Sequence, residues 1–242
     1  MSYFEENIDL YLEQFKELRK YYPNLRDQME SENLFLRGEV CFKEDFETRF
    51  FIDDCYLVEI GFPADYPYSL PYVKEIGGKI ESSYPHLINN GSQTLCLGIN
   101  VEIYQRFNER KTILHFVYNL LIPALYAHAY WKKKRVMPPW GDRSHGIPGI
   151  FLFYAELFKS IDIRLILTLL RIVIDGNYRG DSQCPCGSQK TLNECHGERI
   201  YSLWQIPYNH IEIEYLYLRI WAYHGSYGAR IKTLLNAGLL VA

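Results

Sequence analysis

The chain has 242 residues, of which 48% are hydrophobic and 23% charged, so it can hold one large core or a core with appendages. Its formal net charge of -3 excludes binding driven by bulk positive charge, whether to nucleic acid or to anionic membranes. The one basic run, Lys132 to Arg135, reads as a solvated corner. The opening "MSYFEENIDL" is acidic where a secretory signal would be positive. The most apolar stretch, "IDIRLILTLLRIVID", is short and broken by Arg164 and Arg171, so it does not span a bilayer. A cytoplasmic location is expected, with no membrane partner and no direct nucleic-acid contact. In that compartment disulfides are rare, and cysteine clusters signal metal binding or catalysis.

Ser2 and Glu5 have capping-box spacing, and Phe4, Ile8, Leu12, Phe15 and Leu18 follow at helical intervals. This predicts a first helix stopped by Pro23. From Leu34 the period changes to two: Leu36, Val40 and Phe42, then Phe50 and Ile52, then Tyr56, Val58, Ile60 and Phe62. Short polar turns make these an antiparallel meander. Cys41 and Cys55 fall inside it and read as plain core or sheet residues. Pro63, Pro67 and Pro71 fix φ and remove donors, so the chain leaves the sheet and returns for a last strand near Val73 to Ile76. Residues 80 to 108 read as mostly irregular.

Helical spacing resumes at Ile113, Phe116, Val117, Leu120 and Leu121, until Pro123 kinks or ends it. "MPPWGDRSHGIPG" is a boundary rich in proline and glycine. Two helical segments follow, near 150–160 and 162–175, and the tail from about 208 is mostly helical. There is no internal repeat and no low-complexity tract. The plan is α+β, with helices flanking one curled sheet.

Cys184, Cys186, Cys195 and His196 form a C-x-C-x8-C-H pattern. Thiolate and imidazole are the donors a structural zinc prefers, and four protein ligands leave no open position. Gly187 permits the tight turn that aims the first two thiolates at one point. With Pro185, Ser188 and Gly197, this stretch of about 14 residues resembles the SEC-C motif, a small zinc module first associated with the tail of the bacterial secretion ATPase. Gln189 stands where a glycine is common. The resemblance implies structural zinc and partner recruitment, without chemistry.

"PHLINNGSQTLCLG" raises a different question. Free cysteines are mostly buried and inert, yet Cys96 follows an irregular polar segment, a setting in which a thiolate stays reachable. The amides there are candidates to stabilise an oxyanion. Together with "IGFPADYPYSLPYVKEI", the segment resembles the core of a ubiquitin-conjugating (E2) enzyme. Phe62-Pro63, Tyr66-Pro67, Pro71 and Val73 match that family's FP-x-x-YP-x-x-P-x-V segment, and His86 precedes Cys96 by ten residues. The resemblance covers roughly residues 1 to 130. It implies that Cys96 forms a thioester with the C-terminal glycine of a protein substrate and that His86 braces the flap. Where the family has Pro-Asn after its histidine, this chain has Leu87-Ile88. Its oxyanion asparagine is therefore out of place, and Asn89 and Asn90, which also read as turn residues, are the candidates to substitute. His115 reads as a satisfied core or groove residue. Asp142 and His145 lie in a loop and are weaker acid–base candidates.

The resemblance divides the chain into an E2-like core at 1–130, a linker and helical extension at 131–180, the SEC-C motif at 181–200 and a mostly helical tail at 201–242. An E2-like core carrying SEC-C is similar to the stand-alone prokaryotic proteins found beside cGAS-like nucleotidyltransferases in anti-phage (CBASS) operons. This implies that the partner is that nucleotidyltransferase and that its C-terminus is the substrate. Three readings stay open: a transferase working through Cys96, a non-catalytic scaffold that clamps the partner's tail, and a cysteine hydrolase acting on that tail.

Overall fold

The computed structural model describes residues 8–30, 33–46, 49–88, 93–139 and 146–224. The chain divides into two compact units, Met1–Gly98 with Arg106–Asp142, and Ile99–Gln105 with Arg143–Ala242.

The first unit begins with helix α1 (Ile8–Tyr21), and Pro23 follows its last turn. The buried face is Tyr11, Gln14, Phe15 and Leu18, which keeps Phe15 and Leu18 of the predicted stripe but not Ile8 and Leu12, 56% and 52% exposed. Packing partners select the face. The Tyr11 ring meets Phe62 edge-on, with centroids 6.3 Å apart, and Tyr66 Oη donates to Gln14 Oε1 at 3.1 Å. The predicted Ser2–Glu5 capping box lies outside the described residues.

Four strands form one antiparallel sheet in sequence order: β1 (Arg26–Glu30), β2 (Asn33–Glu44), β3 (Ile52–Gly61) and β4 (Tyr72–Glu75). Leu36, Val40, Val58, Ile60 and Val73 point inward and are fully buried. Each contributes roughly 1.5–3 kcal/mol of hydrophobic free energy. The sequence reading missed β1, whose "RDQME" has no apolar alternation because every residue is exposed. As an edge strand it depends on its ladder and on Arg37, which pairs with both Glu30 and Glu59. Gly38 interrupts the inward row at φ +150°, where an added Cβ would sit 2.0 Å from the Asn24 carbonyl oxygen; only glycine fits there.

One expectation is corrected outright. Cys41 and Cys55 are not plain core residues: they are directly opposed in the β2–β3 register and joined as a disulfide. Cys41 is exposed and Cys55 half-buried. Period-two alternation gives the face of each cysteine but not the register that sets one against the other.

Beyond β4 come helix α2 (Asn100–Asn108), inside the stretch read as irregular, and α3 (Ile113–Phe116). The Thr112 hydroxyl caps α3 by accepting from the His115 N–H at 3.2 Å. A π-helical turn (Val117–Leu121) then leads into α4 (Ile122–Lys134). Pro123 therefore does not end the helix. It sits in the first turn of α4, where a missing N–H costs little, and the widened turn before it accommodates the ring.

The second unit holds α5 (Ile147–Phe158), α6 (Ile163–Asp175), α7 (Gly197–Leu203) and α8 (Tyr208–Tyr223). In α6 the Asp162 carboxylate caps the N-terminus, Gly176 ends the helix in the left-handed region, and Ile166, Leu169, Leu170 and Val173 form the buried stripe. α6 packs on α7 and α8, and α5 on α8. Val101, Ile103 and Tyr104 of α2 are buried and belong to this unit. Among the described residues no helix is long and apolar enough to cross a membrane.

Candidate functional site

The cysteines singled out in the sequence as candidates gather in two clusters, one in each unit. In the first unit the sheet is extended past β4 by a short strap. The Leu95 N–H donates to the Val73 carbonyl at 2.8 Å, Ile88 N–H to Thr94 at 2.9 Å, and Cys96 N–H to His86 at 2.8 Å. Leu87 pairs with Leu95, and both side chains are buried. Two anchored hydrophobes thus fix the backbone while the half-buried Cys96 side chain stays reachable. Its Sγ lies 3.7 Å from the Gly98 carbonyl oxygen.

His86 holds Cys96 by its main-chain carbonyl, and its ring packs on Tyr84 with centroids 5.5 Å apart. Asn89 and Asn90 lie outside the described residues, as do Asp142 and His145. His115 is satisfied at both nitrogens: Nε2 donates to the Arg106 carbonyl at 2.8 Å, and Nδ1 accepts from Asn119 at 2.9 Å.

Sequence reasoning missed the groups packed behind Cys96. The Tyr84 ring touches His128 and Trp131 of α4, at centroid distances of 4.9 and 5.3 Å. Burial raises the Tyr84 phenol pKa, and a charge on Cys96 raises it further, so the phenol stays neutral. His128 is fully buried, with Nδ1 2.7 Å from Tyr56 Oη and Nε2 3.4 Å from Glu81 Oε2. Burial lowers its pKa against the pull of Glu81, giving a neutral ring that accepts from Tyr56 and donates to Glu81. Period and spacing do not distinguish such a histidine from any other on an apolar helix face.

In the second unit the ligand atoms of Cys184, Cys186, Cys195 and His196 all lie within 4.8 Å of one another. Cys184 Sγ and Cys195 Sγ are 3.1 and 3.2 Å from His196 Nδ1, and Cys186 Sγ is 3.4 Å from Cys195 Sγ. A tetrahedral ion with sulfur bonds of about 2.3 Å spaces its ligands by roughly 3.8 Å, so the donor set fits a metal with small adjustments. The backbone is arranged for it. Cys184 N–H donates to the Lys190 carbonyl at 2.8 Å, and Gly187, at φ +79°, turns the chain between the first two thiols and Ser188.

His196 Nε2 lies 2.9 Å from the carbonyl oxygen of Phe158, in the last turn of α5. As donor it satisfies a carbonyl left over at a helix end and leaves Nδ1 bare to coordinate. Burial raises the Cys184 thiol pKa, while the contact with Ser188 Oγ at 3.2 Å holds Cys186 low. A bound cation would stabilise both as thiolates. The four residues can hold a metal and leave no ligand position open.

No family model, no curated protein and no solved structure matches this chain.

Proposed function

We propose that this chain is an E2-like acyl carrier of the stand-alone prokaryotic type, cytoplasmic and acting in anti-phage defence. Cys96 takes the C-terminal glycine of a protein substrate, by resemblance a cGAS-like nucleotidyltransferase, as a thioester and passes it to an amine. The observation that carries this reading is the strap: a half-buried thiol whose own amide is pinned by the His86 carbonyl at 2.8 Å, next to the last strand of a four-stranded meander. The α+β order of helix, antiparallel sheet, cysteine segment and helices supports the same reading.

The chemistry suits a thiol. The Cys96 thiolate attacks an activated acyl carbon, a C–S bond forms, and the activating group leaves with its electron pair. An amine then attacks the thioester carbon. The amide bond forms, the C–S bond breaks, sulfur recovers its electron pair, and the amine's proton passes to solvent. Activation of the carboxylate is assigned to another protein, since a free carboxylate does not yield a thioester spontaneously. The knot in the second unit is read as a structural zinc site of the SEC-C type, held by Cys184, Cys186, Cys195 and His196 and serving partner recruitment.

A serine trap tests the relay. Cys96→Ser, co-expressed with the neighbouring nucleotidyltransferase, is expected to accumulate an oxygen ester that survives thiol and is cleaved by dilute hydroxide. A thiol-stable adduct at any other residue would contradict the assignment.

A further inference from the structure

Helix α8 (Tyr208–Tyr223) is apolar on two faces, and its own unit covers one of them. Ile211, Glu214, Leu218 and Trp221 form the buried face, and α8 packs on α5 and α6. Turned away from it, Ile213, Leu216 and Ile220 are 46%, 44% and 52% exposed, with Tyr217 and Tyr223 exposed beside them. A surface helix ordinarily keeps one apolar stripe for its core and polar residues opposite. Here a second stripe stands in solvent, and a contiguous apolar row of this kind marks an interaction surface.

Its spacing is specific. Ile213, Leu216, Ile220 and Tyr223 follow one another by three, four and three residues, the a and d positions of a coiled-coil seam. Glu212 and Arg219 each precede an a position, so they share one flank of that seam, seven residues apart. Glu212 meets the Tyr208 phenol one turn back, and neither Glu212 nor Arg219 makes an ion pair among the described residues. We propose that this seam is the interface of a homodimer, in which α8 pairs antiparallel with α8 of a second copy of this chain.

Charge selects both the partner and the direction. In an antiparallel pair each flank faces the same flank of the other helix, so Glu212 of each copy meets Arg219 of the other, twice by symmetry. In a parallel pair that flank faces the opposite one, where Tyr217 and His224 stand, and no such ion pair forms. The antiparallel register that joins Glu212 to Arg219 also sets Ile213 of one copy on Leu216 of the other at the centre. Ile220 then meets Asn209 toward the ends, where the amide reaches water. One acid and one base on the flank do not make the basic border that an anionic membrane selects. A helix of 16 residues is about 24 Å long, so the contact is modest and the dimer is expected to dissociate on dilution.

Sedimentation velocity of the full-length protein over a dilution series tests this, in reducing buffer so that no disulfide joins two chains. The expected result is a dimer that dissociates on dilution. Leu216→Glu, at an exposed position, should leave the chain monomeric with its helical circular dichroism unchanged. Glu212→Arg and Arg219→Glu should each weaken self-association about tenfold, because two attractive pairs become two repulsive ones. Mixed together, those two variants should associate with each other about as tightly as the parent, since every facing pair is again opposite in sign. Chains that had merely lost their fold would not recover in this way. A monomer at every concentration would overturn the dimer, whether residues 225–242 or another protein cover the seam. A dimer unaffected by Leu216→Glu would overturn the seam as its interface, and charge variants that associate like the parent would overturn the antiparallel pairing.

Discussion

Glu214 shows at the scale of one residue how burial becomes a measurable property. It is 4% exposed, accepts from Tyr154 Oη at 2.9 Å and from Val101 N–H at 3.4 Å, and faces no cation among the described residues. Burial lifts its carboxyl from 4.5 to about 7, with Glu102 adding to the rise and the two hydrogen bonds opposing it. The sign follows from proton counting. Between pH 4.5 and about 7 the folded chain holds a proton that the unfolded chain has released, so stability falls as pH rises through this window and levels off above it. The total is about 3 kcal/mol, since one pH unit is worth about 1.36 kcal/mol. Glu214→Gln keeps an acceptor for Val101 and a partner for Tyr154. Denaturation at pH 5 and pH 8 should show the slope in the parent and its loss in the variant, which should be about 2–3 kcal/mol more stable at pH 8. A variant that retains the slope would contradict this account.

At the scale of elements the zinc reading has a direct consequence. If Cys184, Cys186, Cys195 and His196 hold a structural ion, purified protein should contain close to one zinc per chain, measured by elemental analysis. Cys184→Ser with Cys186→Ser should abolish it, and metal content unchanged in that variant would contradict the reading. The ligand set was legible in the sequence because all four donors fall within thirteen residues and the chemistry of thiolate and imidazole narrows the choice. Long-period elements were legible too: β2, β3, α6 and α8 follow from alternation or helical spacing. Elements set by tertiary context were not. β1 has no buried face to give it a pattern, and α2 hid in a segment rich in turn residues. Its signal was present in the spacing of Val101, Tyr104 and Phe107. The α1 face was read in part: Phe15 and Leu18 are buried as expected, while Ile8 and Leu12 are apolar yet exposed and Gln14 is buried with its bond to Tyr66. The Cys41–Cys55 bridge depends on strand register, and the Tyr84–His128–Trp131 packing on contacts between residues more than forty positions apart in the sequence. Neither is written in local spacing.

For the whole molecule, the account rests on Cys96 carrying an acyl group from another protein. The four-stranded sheet and its strap hold that thiol; the second unit supplies a knot whose four donors can hold a metal. Intact mass spectrometry under non-reducing conditions tests this most directly, with the protein co-expressed with the proposed partner, a cGAS-like nucleotidyltransferase, as wild type and as Cys96→Ala. The account predicts an adduct equal in mass to both chains less one water, released by added thiol and absent from Cys96→Ala. A stable non-covalent complex with no adduct, identical in the variant, would contradict it and leave the first unit as a clamp.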